Sequence, residues 1–154
     1  MPNYRRTYGA NACYFTVVTD HRIPILTTEK ARAILREVWK IVQERHPFTT
    51  VAICLLPEHL HAVWTLPEGD DNYSIRWKEI KRQFTMRYLA AGGEEGRRSD
   101  SRLKRGEASI WQREMWRTES VLAALIGLSS PGGLWEQLDA RGRYQNAIAA
   151  VQNL

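Results

Sequence analysis

Two histidines stand two residues apart in the otherwise apolar stretch LLPEHLHAVWTLP, residues 55–67. They are His59 and His61, and the stretch that holds them is typical of a core strand. Side chains two residues apart on a strand point to the same face, so both imidazoles can converge on one point. Imidazole is a ligand for divalent metals, including Mn, Zn, Ni and hydrated Mg. The pair is therefore a candidate metal or phosphate site, and the alternative is two hydrogen-bonded structural histidines.

Two histidines are too few for a closed structural zinc site, which takes four protein ligands. Cys13 and Cys54 both lie in apolar runs, and we expect each to pack as a small core residue rather than to ligate a metal. His21 and His46 stand alone and are expected to be structural. An open site, in which a substrate oxygen completes the coordination, is the better metal interpretation.

The elements that must position this pair follow from apolar periodicity and turn residues. We expect a strand over residues 12–19, followed by a helix over 28–46 that is capped by Thr27 or Thr28. Two further strands are expected over 50–56 and 59–66, separated by a turn at Pro57–Glu58. In the strand over 59–66, His59, His61, Val63 and Thr65 should face one way, and Leu60, Ala62, Trp64 and Leu66 the other. The order of the elements predicts an α+β fold with helices packed on one antiparallel sheet.

A second amphipathic helix is predicted over residues 74–91, ended by Gly92–Gly93. Its apolar stripe contains Trp77, Ile80, Phe84 and Tyr88. The other face is expected to carry the basic residues Arg76, Lys78, Lys81, Arg82 and Arg87. The Gly-rich, charged segment 92–108 is predicted to be a mobile loop.

The positive charge is concentrated in one part of the chain. The net charge is +5 over 154 residues, yet residues 72–117 hold twelve Lys and Arg against six Asp and Glu. Such a segment favours a polyanionic partner, nucleic acid first and acidic lipid second, and the alternative is a solvated basic surface. No signal-peptide pattern and no apolar run of membrane-spanning length is present, so the expectation is one soluble, cytoplasmic protein.

Five segments, taken in order, resemble a known family. They are MPNYRR at residues 1–6, ERHPF at 44–48, LLPEHLHAVWTLPEGD at 55–70, SIRWKEIKRQF at 74–84 and IWQREMW at 110–116. Together they are similar to REP-associated tyrosine transposases, a branch of the single-tyrosine HUH transposase superfamily. The HUH motif is His-apolar-His, here His59-Leu60-His61. The resemblance covers residues 1–117, which we take as the core domain, with 118–154 as a divergent C-terminal helical tail.

The resemblance implies a ferredoxin-like or RRM-like antiparallel sheet with helices on one face, in a monomer or homodimer. It implies that His59 and His61 hold Mg²⁺ or Mn²⁺ against a scissile phosphate in DNA. It further implies binding of short palindromic hairpin repeats and cleavage of a single strand by a tyrosine, which gives a 5′-phosphotyrosine and a free 3′-hydroxyl. The chain would then be a metal-dependent tyrosine transposase and single-strand DNA endonuclease.

Candidate DNA contacts combine cations that can hold phosphates with aromatic rings that can stack on bases. The resemblance places Arg5 and Arg6 in the segment that reads DNA. The remaining candidates, from the basic helix and the segment after it, are Arg76, Lys78, Lys81, Arg82, Trp111 and Arg113. Trp77, Trp111 and Trp116 can either stack on bases or pack in the core.

The sequence departs from the family where the nucleophile is expected. Family members carry a Tyr-Ile-His-x-Asn-Pro pattern about twenty residues beyond the WQR segment, where this chain reads SSPGGLWEQ. Tyr144, on a predicted helix over 134–151, is the candidate nucleophile in the tail, and the alternative is that it packs against Ile148. Three functions remain open: an active transposase-like nuclease, a relative that only binds DNA, and a metal-dependent phosphoesterase or RNA-binding module.

Overall fold

The structure is a computed structural model and describes residues 12–118. Its strands are β1 (Ala12–Val18), β2 (Thr49–Leu55), β3 (His59–Thr65) and β4 (Trp116–Thr118), and its helices are α1 (Glu29–Arg45), α2 (Tyr73–Ala90) and α3 (Asp100–Arg105), with a short 3-10 turn at Asp20–Arg22. The predictions for Arg5, Arg6, Tyr144 and the tail lie outside the described residues.

The four strands form one sheet in the order β2-β3-β1-β4, and every neighbouring pair is antiparallel. Two β-α-β units are interleaved in this order, with α1 joining β1 to β2, and α2 and α3 lying between β3 and β4. This is the ferredoxin-like connection pattern. The predicted α+β class, with helices on one face of an antiparallel sheet, is confirmed.

Each long helix begins at a side chain that satisfies an otherwise unpaired backbone amide. The Thr28 hydroxyl accepts a hydrogen bond from the Ala31 amide at the start of α1, and the Asn72 side chain accepts one from Ile75 at the start of α2. After α2 the backbone turns at Gly92, whose φ of +77° is a left-handed conformation that glycine adopts without strain. The predicted bounds of both helices are confirmed to within one residue.

Alternation along the two central strands divides the sheet into a helix face and a second face. Phe15 and Val17 from β1, and Leu60 and Trp64 from β3, are all fully buried in the core cluster with α1 and α2. The Trp64 ring stacks on Trp77 of α2 at 4.4 Å between ring centroids. The intervening residues on β1 and β3, among them the two histidines, lie on the second face, which we call the histidine face.

The segment 92–108 differs from its prediction as a mobile loop, because it contains α3. Ser99 caps this helix by accepting from the Arg102 amide, and Gly106 ends it with a φ of +65°. The Arg102 guanidinium then donates to the carbonyl oxygens of Ala108 at 2.6 Å and Trp111 at 2.8 Å. These contacts fix a polar, Gly-rich stretch that local sequence pattern alone assigns to a loop.

None of the helices within residues 12–118 has the length and apolar composition needed to cross a bilayer.

Candidate active site

Strand pairing brings residues distant in sequence next to His61. In the register of the sheet, His61 on β3 lies opposite Thr16 on β1 and Cys54 on β2, and Val63 lies opposite Tyr14. Tyr14 and Thr16 are two apart on β1, so both point to the histidine face. The sequence pattern alone did not single out these two residues, although the alternation along β1 places them on the face of the histidines.

The His61 ring is held by two hydroxyl groups at one of its nitrogens. Its Nδ1 lies 2.7 Å from the Tyr14 hydroxyl and 2.9 Å from the Thr16 hydroxyl. The Tyr14 ring also stacks against the imidazole, at 5.5 Å between centroids. These contacts fix the orientation of the ring on the sheet.

The other ring nitrogen of His61, Nε2, is buried and has no hydrogen-bond partner within residues 12–118. Burial, with a smaller contribution from nearby His59, lowers the pKa of His61 to about 4. The ring is therefore neutral at neutral pH and carries a single hydrogen. If Nδ1 holds that hydrogen and donates it to a hydroxyl oxygen, Nε2 is left with a free lone pair.

His59 lies beside His61 on the same face. The two ring centroids are 4.9 Å apart and the ring planes are nearly perpendicular. Glu58 approaches His59, with its Oε1 at 3.4 Å from Nδ1. The two imidazoles thus lie side by side on one face of the strand, as predicted, and their joint binding of a metal stays a prediction.

The site fits the divalent metal that the family resemblance implies. A buried imidazole nitrogen without a hydrogen-bond partner is costly unless it receives a ligand, and metal-bound histidines commonly donate their other N–H to a fixed acceptor. His61 has a buried Nε2 without a partner among the described residues, and its Nδ1 faces two hydroxyl oxygens that can accept such a bond. Within residues 12–118, no group of three or more His, Cys, Asp and Glu side chains is placed to hold a metal. His59 and His61 are the described side chains that would hold such an ion.

Cys54 corrects one sequence prediction. Cys13 packs in the core as expected, but Cys54 is only half-buried and occupies the position opposite His61. It lies close enough to Tyr14 to affect the pKa of its phenol. Burial raises the pKa of the Cys54 thiol, which disfavours the thiolate that would be needed for metal binding.

Two of the predicted DNA contacts are buried: Arg76, which the helical pattern places on the basic face of α2, and Trp111, for which core packing was the alternative. Arg76 is 2% exposed, and its guanidinium is paired with Asp70 and donates to backbone carbonyls. Trp111 is 6% exposed and packs edge-on against Phe84. We leave Arg76 and Trp111 out of the DNA contacts proposed below for this reason.

The other candidate cations on α2 and after α3 come together. Lys78, Lys81, Arg82 and Arg113 all line one cavity between α2, α3 and residues 106–115. That cavity is separate from the histidine face. The DNA-binding role of these four residues stays a prediction.

Comparison with known proteins places the chain in a family. It is 44% identical over 86 residues to the REP-associated tyrosine transposase of Escherichia coli, and 41% identical over 118 residues to a Haemophilus influenzae protein provisionally given the same name. These matches cover 55% and 75% of this chain. The chain spans only 52% and 64% of the length of the two relatives. No model of a known protein family matches it.

Solved structures agree with the sequence relatives. A REP-associated tyrosine transposase bound to a REP hairpin matches with a TM-score of 0.60 and 30% identity, over 94% of this chain and 77% of that one. A Deinococcus radiodurans protein provisionally named a transposase matches with a TM-score of 0.55 over 86% of this chain and 90% of its own, and its 12% identity shows a shared fold alone. On sequence and structure together, the chain belongs to the REP-associated tyrosine transposases.

Proposed function

We propose that this chain binds hairpin-forming repeat DNA and acts on a phosphodiester of the adjoining single strand, with Mg²⁺ or Mn²⁺ held by His59 and His61. The observation that carries the proposal is the state of His61. Its Nε2 is buried without a hydrogen-bond partner among the described residues, while Tyr14 and Thr16 hold its Nδ1. The hairpin-bound relative and the basic segment 72–117 support DNA as the partner.

Each residue has a distinct role in this proposal. A bound metal would withdraw charge from a non-bridging phosphate oxygen and so favour attack on an otherwise anionic phosphorus. His59 and His61 would hold it, and the hydroxyls of Tyr14 and Thr16 fix the orientation of the His61 ring through its Nδ1. The neutral state of His61 at neutral pH leaves Nε2 available as a ligand.

Strand cleavage requires a tyrosine nucleophile. The phenol oxygen bonds to phosphorus, the bond from phosphorus to the 3′ oxygen breaks, and the departing oxygen takes up a proton. The products are a 5′-phosphotyrosine and a 3′-hydroxyl, so the ester bond is preserved for rejoining. Tyr144 is the proposed nucleophile.

A second function is favoured by the sequence of the tail. Where the family pattern places a tyrosine, this chain has SSPGGLWEQ, and the tail contains a single tyrosine, Tyr144. A relative that retained the fold and the DNA surface, but lost the nucleophile, would bind hairpins without cleaving them. The two functions make different predictions for one experiment.

The test is incubation of the protein with Mn²⁺ and an end-labelled hairpin oligonucleotide carrying a single-stranded flank. An active transposase gives a covalent protein–DNA adduct on a denaturing gel, and the adduct is lost in Tyr144→Phe and in His61→Ala. The control is Tyr73→Phe, which removes a phenol at the start of α2, on the helix side of the sheet. Hairpin binding without an adduct establishes the DNA-binding function instead, and no hairpin binding at low salt contradicts both.

A further inference from the structure

A large groove lies on the side of the molecule away from the histidine face. Its volume is about 750 Å³, within the range of about 300–1,000 Å³ that is usual for ligand sites. We call it the α2–α3 groove, since it runs between α2, α3 and residues 106–115. Trp77 lines this groove and stacks on Trp64 of β3. Trp64 lies on the helix face of β3, and His61 lies on the opposite face of the same strand.

The floor of the groove is apolar and its rim is cationic. The apolar lining includes Trp77, Met86, Leu89, Trp111 and Met115, and Met86 is 59% exposed. Six cations also line it, against the single acid Glu107; they are Lys78, Lys81, Arg82, Arg98, Arg102 and Arg113. Apolar surface edged by one sign of charge is suited to a flat or apolar ligand that carries the opposite charge.

The four arginines of the rim are already paired with carboxylates. Arg82 pairs with Glu79, Arg98 with Glu95, Arg102 with Asp20, and Arg113 with Glu107. Within residues 12–118, neither Lys78 nor Lys81 has a carboxylate within ion-pair distance. The uncompensated charge of the groove therefore resides on these two lysines, three positions apart on α2 and so on neighbouring turns of one side.

Lys81 is held in place without being neutralised. It is largely buried, and its ammonium donates one hydrogen bond of 3.1 Å to the Gln112 carbonyl. Burial, and to a lesser degree the adjacent Arg102, lowers the pKa of Lys81 to about 8. A partly buried cation beside a second cation opposes folding, and such groups concentrate at binding sites, where the ligand supplies the missing charge.

We propose that the α2–α3 groove is a second nucleic-acid site, in which Lys78 and Lys81 hold phosphates of a DNA strand away from the phosphodiester at the histidine face. The proposal rests on the proposed DNA-binding function and adds where a distant part of the same DNA lies. Regularly spaced phosphates supply the charge that the two lysines lack. Sugars and bases supply apolar surface for the exposed Met86.

The first test is hairpin affinity as a function of salt for Lys78→Gln/Lys81→Met and for the matched control Lys30→Gln/Lys40→Gln, which removes two exposed lysines from α1. We expect the groove variant to bind at least about 10-fold more weakly and its salt slope to fall by about two, since each phosphate contact contributes about one. The control should show a much smaller loss of hairpin affinity and a much smaller change in salt slope. Thermal melting verifies that both variants fold.

The second test locates the contact. Brief treatment with acetic anhydride, followed by mass spectrometry, measures the reactivity of each lysine with and without the hairpin oligonucleotide. We expect the DNA to protect Lys78 and Lys81 and to leave Lys30 and Lys40 unchanged. Lys78 is exposed in the structure, so low reactivity of Lys78 in the DNA-free protein, unaltered by DNA, would mean that another segment of the chain covers the groove, and the inference would be wrong.

The outcomes separate this inference from the function on which it rests. If the wild-type protein binds the hairpin and the groove variant binds equally well, the second site is wrong while the proposed function stands. Groove lysines that react equally with and without DNA lead to the same conclusion. If the wild-type protein binds no hairpin at all, the proposed function itself is contradicted.

Discussion

At the scale of single residues, the site depends on which nitrogen of His61 carries its hydrogen. Two hydroxyls lie within hydrogen-bond distance of Nδ1, while Nε2 is buried without a partner among the described residues. A buried nitrogen without a partner costs about 1–3 kcal/mol, and a metal at Nε2 would remove that cost when Nδ1 carries the hydrogen. Tyr14 and Thr16 fix the orientation of the ring, since a hydroxyl can accept from Nδ1 or donate to it.

The first prediction concerns this pair of hydroxyls. Tyr14→Phe combined with Thr16→Val removes both partners of Nδ1, and we expect Mn²⁺ binding to weaken by about 10- to 100-fold, as is usual when groups that orient a ligand are lost. Either single substitution leaves one hydroxyl and should have a smaller effect. Titration of Mn²⁺ followed by electron paramagnetic resonance measures this without DNA. Equal affinity in the double variant and the wild type would exclude the positioning role.

The second prediction concerns Lys81 and pH. The pKa of Lys81 in the folded protein is about 8, below the ordinary value of 10.5. Between these two pH values the unfolded chain binds more protons than the folded chain. The contribution of Lys81 to the free energy of unfolding therefore rises with pH across this window. Below pH 8 the charged Lys81 destabilises the folded protein to its full extent. Because a pKa unit corresponds to about 1.4 kcal/mol, Lys81→Met should stabilise the fold at pH 7 by up to about 3 kcal/mol.

Urea unfolding of the wild type and Lys81→Met at pH 7, 8, 9 and 10 measures the difference between the two proteins. The advantage of the variant should shrink steadily above pH 8. Taking the difference removes the contributions of other lysines, tyrosines and cysteines that titrate in the same window. A constant difference across this range would show that the ammonium is well solvated.

At the scale of elements, buried arginines connect segments that sequence pattern treats as separate. Arg102 joins α3 to residues 108–111 and pairs with Asp20, after β1, at 3.4 Å. Arg76 joins the first turn of α2 to the loop before β2, through the carbonyls of His46 and Pro47. Both side chains are therefore part of the scaffold, although the sequence pattern placed Arg76 on the basic face of a helix and Arg102 in a mobile loop.

The third prediction follows from this structural role. Arg76→Met removes the side-chain donor from the carbonyls of His46 and Pro47 and the ion-pair partner of Asp70, and we expect a loss of about 2–4 kcal/mol in the free energy of unfolding. Arg82→Met is the matched control. Its side chain is half-exposed, and its ion pair with Glu79 spans one turn of the same helix, so the loss should stay within about 0.5 kcal/mol. Chemical denaturation measures both, and equal losses would contradict the scaffold role.

At the scale of the whole molecule, the sheet separates two surfaces. The central pair β1 and β3 carries the apolar core on one face and the histidine face on the other. The α2–α3 groove lies on the helix side. A DNA molecule that contacts both surfaces must pass around an edge of the sheet, which would set the distance between the phosphate at the histidine face and the contacts in the groove.

Much of this architecture follows from local sequence pattern. Alternating apolar residues predicted the strands and their faces, and helical spacing with Thr28, Pro47 and Gly92 predicted α1 and α2. The burial of Phe84 and Tyr88 on one stripe of α2 was likewise predictable. Such features depend on chain stereochemistry and on neighbours within a few residues, which the sequence displays directly.

By itself the sequence determined the pair His59 and His61, their common face, the α+β class and the basic character of residues 72–117. Only the tertiary structure decided that Tyr14, Thr16 and Cys54 surround His61, that Arg76 and Trp111 are buried, and that Lys78 and Lys81 share a groove with α3. The reason is physical: strand register and helix packing bring together residues dozens of positions apart. Whether a cationic side chain contacts solvent, a carbonyl or a carboxylate depends on residues that are distant in sequence.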